Sequence, residues 1–202
     1  MDAVDTAEYA ALQKLVDPYY YRERFTMLKF IVNSSGDQFY TPDSSRFYFD
    51  DLPGEKYLRY AENADHGSAQ DAGYGIIAFY DALLHNRPRP KFSWKFEDNG
   101  NIAVTCSDKP TQVKFWQAAN PTARDFRLMT IGKKFKGTDL ADQGGGVYIA
   151  KIENPAKGWT ASFVELEFPS GCKYPFKFTT AVRITPDTLP FPPLKPSGKL
   201  PK

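Results

Sequence analysis

The chain has 202 residues, enough for one larger domain or two small ones, and its 42% hydrophobic content suffices to bury a core. Its formal charge of +2 gives no reason to expect a nucleic-acid or anionic-membrane partner, because such proteins concentrate a larger basic excess on one surface. No stretch approaches the roughly 18 to 20 consecutive apolar residues that span a bilayer, and the acidic, polar residues 1–8 are not a secretory signal.

Residues 6–15 read as a helix capped by Thr6, with Tyr9, Leu12 and Leu15 at helical spacing, ending before Asp17-Pro18. Tyr19-Tyr20-Tyr21 and Arg22-Glu23-Arg24 then lead into Met27-Leu28-Lys29-Phe30-Ile31-Val32. The length and β-branched content of that run suit a buried parallel strand. A loop carrying Asp37 follows. Pro42-Asp43-Ser44-Ser45 reads as a helix start, and Leu52-Pro53-Gly54 as its stop. A second strand, Lys56-Tyr57-Leu58-Arg59-Tyr60, enters the loop Asp65-His66-Gly67. Residues 68–86 predict an amphipathic helix, with Ala72, Ile76, Phe79, Tyr80 and Leu83 at steps of three and four. Gly73 and Gly75 weaken it or let it approach the sheet closely, and His85 near its end reads as structural.

Parallel strands need a crossover connection, and their C-terminal ends lie at one edge of the sheet, so Asp37 and His66 would stand side by side there. An acid so placed fixes the imidazole tautomer and stabilises the imidazolium formed when the histidine takes a proton from a nucleophile. Spacing alone equally allows an ordinary loop aspartate and a loop histidine that never meet. Asp43, Asp50 and Asp51 compete for the acid role, but Asp43 reads as a helix-start residue and the other two as solvated turn residues.

Arg87-Pro88-Arg89-Pro90 is a stiff connector and the clearest boundary in the chain. Beyond it the periodicity becomes two. Phe92, Trp94 and Phe96 alternate with polar residues, and Asp98-Asn99-Gly100-Asn101 turns into Ile102-Ala103-Val104-Thr105-Cys106, a hairpin. Further strands are expected over residues 112–118, 147–152, 159–168 and 173–184, with Gly144-Gly145-Gly146 as a hairpin turn. Six or so short strands in about 100 residues suggest a sandwich-like module. Residues 190–202, rich in proline and lysine, read as an extended or disordered tail. No cofactor motif is present, and neither the spacing of Cys106 and Cys172 nor nearby histidines supports a metal site. Two buried free thiols is the slightly favoured reading of those cysteines.

The stretch from Val16-Asp17-Pro18-Tyr19-Tyr20-Tyr21-Arg22-Glu23-Arg24-Phe25 onward resembles the PhoPQ-activated pathogenicity-related protein family. So do Ser35-Gly36-Asp37-Gln38-Phe39, Phe49-Asp50-Asp51-Leu52-Pro53-Gly54-Glu55-Lys56-Tyr57, Asn63-Ala64-Asp65-His66, Trp116-Gln117-Ala118-Ala119-Asn120-Pro121, Gly158-Trp159-Thr160-Ala161 and Tyr174-Pro175-Phe176-Lys177-Phe178. The resemblance implies an α/β fold class: the C-terminal portion of an α/β-hydrolase sheet over residues 1–87, then a small all-β sandwich-like domain over 88–189. It also implies export, which would permit a Cys106–Cys172 disulfide, and it places a triad acid on Asp37 and the triad histidine on His66.

The nucleophile elbow G-x-S-x-G of such enzymes is absent from the chain. Ser34 and Ser35 lack the small flanking residues of that turn. The resemblance puts the serine upstream, in sequence not contained here. The expected function is therefore the C-terminal part of a serine hydrolase-like protein, of peptidase or esterase type and inactive alone. Its partners would be the missing N-terminal part of the hydrolase domain and, in the intact parent, a small-molecule or peptide substrate. The alternative is a secreted binding or signalling protein on a hydrolase-like scaffold. Recognition of substrate by the β-rich half is a further possibility, for which exposed Trp116, Phe126 and Trp159 would be the mark.

Overall fold

The computed structural model describes residues 6–67 and 70–192. Helix α1 (Ala7–Val16) begins where Thr6 Oγ1 accepts the Tyr9 N–H at 3.2 Å. It ends at Asp17, whose carboxylate accepts the Tyr19 N–H and starts a 3-10 helix, Pro18–Arg24. Strands β1 (Lys29–Ser34) and β2 (Lys56–Ala61) pair in parallel, with Lys29 opposite Lys56 and Ser34 opposite Ala61. Helix α2 (Gln70–Leu84) packs Ala72, Ala78, Phe79 and Ala82 inward. The hairpin β3 (Phe92–Phe96) and β4 (Ile102–Cys106) forms as the alternation predicts, and β7 (Val147–Ala150) completes a three-stranded antiparallel sheet.

The largest sheet has β8 (Trp159–Phe168) at its centre. One edge of β8 pairs with β5 (Gln112–Asn120), which carries β6 (Lys136–Asp139) on its far side. The other edge is shared by β9 (Phe176–Thr179) and β10 (Arg183–Thr185). The single run expected over 173–184 is thus two strands, bridged by Thr180, whose N–H donates to the Val164 carbonyl and whose hydroxyl accepts the Val164 N–H. Strand β6 and the one-turn helix α3 (Leu128–Ile131) fall in the segment whose sequence pattern is irregular. All four residues of β6 are exposed, so no alternation marks them.

The expected fold class is corrected here. Among the described residues one strand pairing is parallel and six are antiparallel, the molecule is mostly β-sheet with few helices, and no α/β-hydrolase fold is present. Two physical reasons stand out. The connection from β1 to β2 holds only one 3-10 turn, Ser44–Phe47, where a crossover helix is expected. Asp43, at the start of that turn, makes no capping bond, and its Oδ2 pairs with Arg124 instead. In addition, β8 is buried on both faces: Val164, Leu166 and Phe168 join one core while Ala161 and Phe163 join another. Both cores mix residues from either side of residues 87–90, Tyr57 and Phe79 in the first and Leu58 and Tyr60 in the second.

Cys106 and Cys172 are free, and burial pushes the Cys106 thiol up to about 11. No helix of the described residues is long and apolar enough to cross a membrane. Residues 193–202, most of the expected tail, lie outside the described residues.

Candidate functional site

Because β1 and β2 run in parallel, the loops leaving Ser34 and Ala61 emerge at the same edge. Backbone bonds continue the pairing beyond the strands: the Ser35 N–H donates to the Ala61 carbonyl at 2.9 Å and the Gly36 N–H to the Ala64 carbonyl at 2.9 Å. Asn63, in the left-handed region at φ 52°, donates its N–H to Ser35 Oγ at 3.0 Å. Its side-chain amide exchanges two bonds with the Phe135 backbone, at 2.9 and 3.0 Å. The later half of the chain therefore holds the loop that carries His66.

Asp37 and His66 meet. Oδ2 of Asp37 lies 2.8 Å from Nδ1 of His66, while Oδ1 accepts the N–H groups of Phe39 at 2.7 Å and Tyr40 at 3.1 Å. Burial raises the Asp37 pKa, but the Phe39 N–H, the His66 ring and the Tyr40 N–H together outweigh it and hold the carboxyl below its usual range. An ionised Asp37 makes Nδ1 the protonated nitrogen of a neutral imidazole and leaves Nε2 as the basic one. The His66 N–H donates to Gln38 Oε1 at 3.2 Å, and the ring packs edge-on to Phe39 at 5.0 Å with Tyr40 at 6.0 Å. The imidazole is half exposed, and among the described residues no hydroxyl or thiol is bonded to it. This arrangement can take up and return a proton at Nε2.

The sign of the Asp37 shift sets a pH dependence. A carboxylate with a lowered folded-state pKa stabilises the fold above its unfolded value, about 3.9, and loses that contribution as pH falls through the lower folded value. Asp37→Asn is expected to flatten the decline in thermal stability below about pH 4, read by melting temperature against pH.

Gly36 is fixed by close approach. A Cβ built there would lie 2.9 Å from Leu128 N and Cβ and 3.0 Å from the Ala64 carbonyl oxygen, with the Leu128 N–H donating to the Gly36 carbonyl at 2.8 Å. Gly36→Ala is expected to cost about 1–3 kcal/mol by overpacking, because backbone rather than a flexible side-chain tip must yield. Denaturant unfolding reads the cost, and changed imidazole chemical shifts of His66 read displacement of the Asp37 loop.

The competing carboxylates are engaged elsewhere. Asp43 is buried against Arg124 at 2.6 Å and Arg46 at 3.5 Å, and Asp51 accepts the Tyr19 hydroxyl at 2.5 Å. Asp50 is exposed, its backbone carbonyl held by Lys56. Asp65 accepts the Gly67 N–H within its own turn. His85 bonds the Asp81 carbonyl at the end of α2, far from Asp37 in the fold's connectivity. Phe126 is core, Trp116 is half-buried and Trp159 donates to the Thr188 carbonyl. The Asp43–Arg124 pair went unanticipated, since its partners lie 81 residues apart and Asp43 reads locally as a helix-start residue. A cleft of about 340 Å³ beside Asp37 is lined by Phe39, Tyr40, Arg124 and Arg127. Among the described residues no group of three or more His, Cys, Asp or Glu is placed to hold a metal ion.

Comparison with known proteins adds to this geometry. Autocrine proliferation repressor protein A of Dictyostelium discoideum is 35% identical over 219 aligned residues, covering 95% of this chain and 44% of that protein. The chain thus spans less than half the length of that relative. No solved structure matches the chain. Residues 1–127 of the 202 match the PhoPQ-activated pathogenicity-related protein family, a span that includes both Asp37 and His66. Covering well over half of its length, that match means that the chain belongs to the PhoPQ-activated pathogenicity-related protein family.

Proposed function

We propose that Asp37 and His66 are the acid and base of a serine hydrolase-like site, of peptidase or esterase type, whose nucleophile comes from sequence outside this chain. The observation that carries this reading is the 2.8 Å contact between Asp37 Oδ2 and His66 Nδ1, with Oδ1 anchored by two backbone N–H groups and the ring half exposed. In such a site Asp37 fixes the tautomer, Nε2 removes the proton of an attacking hydroxyl, and the imidazolium returns it to the leaving group.

The surface suits association with a further segment. The outer edge of β1 has no strand partner among the described residues. On α2 Ile76, Ile77, Tyr80 and Leu84 are exposed, as are Leu15 and Val16 at the end of α1, apolar surface of the kind a partner covers. The missing sequence would supply both this cover and the serine.

Because the parts of a triad act as a unit, the 202-residue chain is expected to turn over a generic ester no faster than background. A rate from this chain alone that is lost in His66→Ala would overturn the missing-nucleophile reading. In a longer chain that includes the absent part, Asp37→Asn is expected to lower kcat by about 10⁴-fold through the wrong tautomer.

A second reading, an exported signalling protein, is favoured by the name of the repressor relative and by the absence of a serine bonded to His66 among the described residues. In the longer chain His66→Ala separates the two: a signalling scaffold keeps its effect on cells, whereas a hydrolase loses it.

A further inference from the structure

A second cleft, of about 630 Å³, opens between β2, β3 and β10, and neither Asp37 nor His66 lines it. The Asp43–Arg124 ion pair stands between the two clefts: Asp43 lines this one and Arg124 the smaller one beside Asp37. Its volume is within the range of small-molecule sites.

One wall is aromatic. Strand β3 alternates in burial, with Phe92, Trp94 and Phe96 half-buried and Ser93 and Lys95 exposed between them, all five lining the cleft. Trp94 faces Phe49 across a centroid distance of 6.4 Å at 26°, and Arg183 and Lys56 lie over Phe96 and Phe49 at 5.2 and 5.0 Å. At the rim Arg46 and Asp187 form a two-pronged pair at 2.8 and 3.2 Å, both partly exposed, and so present fixed donors and acceptors side by side.

The inner end of the cleft holds an imbalance. Asp43 is buried, at 4% exposure, and its Oδ1 has no hydrogen-bond partner among the described residues. A buried acceptor without a donor costs free energy, so such atoms point to a ligand or water that completes them. The missing partner for a carboxylate oxygen is a donor.

Charge narrows the ligand. Asp43, Asp50 and Asp187 line the cleft together with Arg46, Lys56, Lys95 and Arg183, an excess of one positive charge (4 − 3). A cationic amine meets that excess, and an anion meets the unpartnered carboxylate oxygen. A neutral, polyhydroxylated ring avoids both. Its hydroxyls donate to Asp43 and Asp187 and accept from Arg46 and Arg183, and its C–H face lies on the aromatic ladder of β3. We propose that this cleft is a saccharide-binding site, with Trp94 as the stacking platform and Asp43 and the Arg46–Asp187 pair as the hydroxyl-recognising groups.

The test is titration of the 202-residue chain with cellohexaose, maltohexaose and chitohexaose, followed by tryptophan fluorescence and by amide chemical shifts. At least one sugar is expected to bind saturably with Kd below about 1 mM, with shifts concentrated on β3 and β10. Trp94→Ala and Asp187→Asn are each expected to weaken it about tenfold, and His66→Ala to leave it unchanged. Should Trp94→Ala fail to fold, Asp187→Asn at the exposed rim carries the comparison. The proposal is overturned if no sugar binds saturably up to about 10 mM, if the shifts map away from β3 and β10, or if Asp187→Asn binds as well as the unaltered chain. Tighter binding of tetramethylammonium or benzoate to the same residues would likewise overturn it, assigning the cleft to an amine or an anion.

Discussion

Phe178→Ala is expected to lower the unfolding free energy by about 3–5 kcal/mol, the usual range for an aromatic side chain deleted from a closed core. Phe178 is fully buried on β9 and touches five other rings. It stacks on Tyr57 at 4.5 Å, on Phe176 at 5.5 Å and on Phe92 at 5.7 Å, and it meets Phe30 and Phe79 edge-on at 5.5 and 6.3 Å. Those rings belong to β1, β2, α2, β3 and β9, so one side chain joins elements from both ends of the chain. The cavity left behind could not close without moving several of them. Since whole domains are stable by only about 5–15 kcal/mol, the variant would stand near the limit of folding. Urea unfolding followed by fluorescence measures the loss, with Phe39→Ala, at a position 71% exposed, as the control expected to fall within about 0.5 kcal/mol of the unaltered chain.

A loss of roughly 3 kcal/mol is expected for Glu165→Ala, for a different reason. Arg59 of β2 is fully buried, and its guanidinium bonds to Glu165 of β8 and, at 2.9 Å, to Glu62. Removing Glu165 leaves the positive charge of Arg59 in a low-dielectric interior with less of its compensation. The charge is the problem, not the volume. The double substitution Arg59→Met with Glu165→Leu is therefore expected to recover most of the loss, as exchange of a buried ion pair for apolar groups is often neutral. If Glu165→Ala alone unfolded at the same urea midpoint as the unaltered chain, the pair would contribute nothing to the joining of β2 and β8.

The two effects bear on the site through the same joint. The Asp37 and His66 loops leave β1 and β2, and these strands are held by Phe30, Tyr57 and Arg59 against β8 and β9. Within β2, the Tyr60 N–H donates to Thr179 Oγ1 of β9 at 2.9 Å. Damage to the core is thus expected to reach the Asp37–His66 contact before it reaches the exposed strand β6.

Local pattern determined much of the strand content. The period-two run of β3, the turn that leads into β4, the apolar run of β1 and the capped helix α1 need only near neighbours along the chain, and these elements form within a few residues of where the pattern puts them. Parallel pairing of β1 with β2 also followed from order, and with it the placement of Asp37 and His66 at one edge.

What the pattern could not decide was the environment of each element. A crossover helix was written locally at residues 42–52, but the Asp43 carboxylate pairs with Arg124, 81 residues away, makes no capping bond, and the segment keeps a single 3-10 turn. Likewise the sequence of β8 indicates a strand without saying that a second core covers its other face, so that it is buried on both sides. The resemblance led to the Asp37–His66 pair, but the distance between the two side chains, the anchoring of Asp37 by backbone N–H groups and the tie from Asn63 to Phe135 exist only in three dimensions. Periodicity records which side of an element is apolar; which partner satisfies a buried charge or covers a face depends on residues distant in sequence, and only the folded chain brings them together.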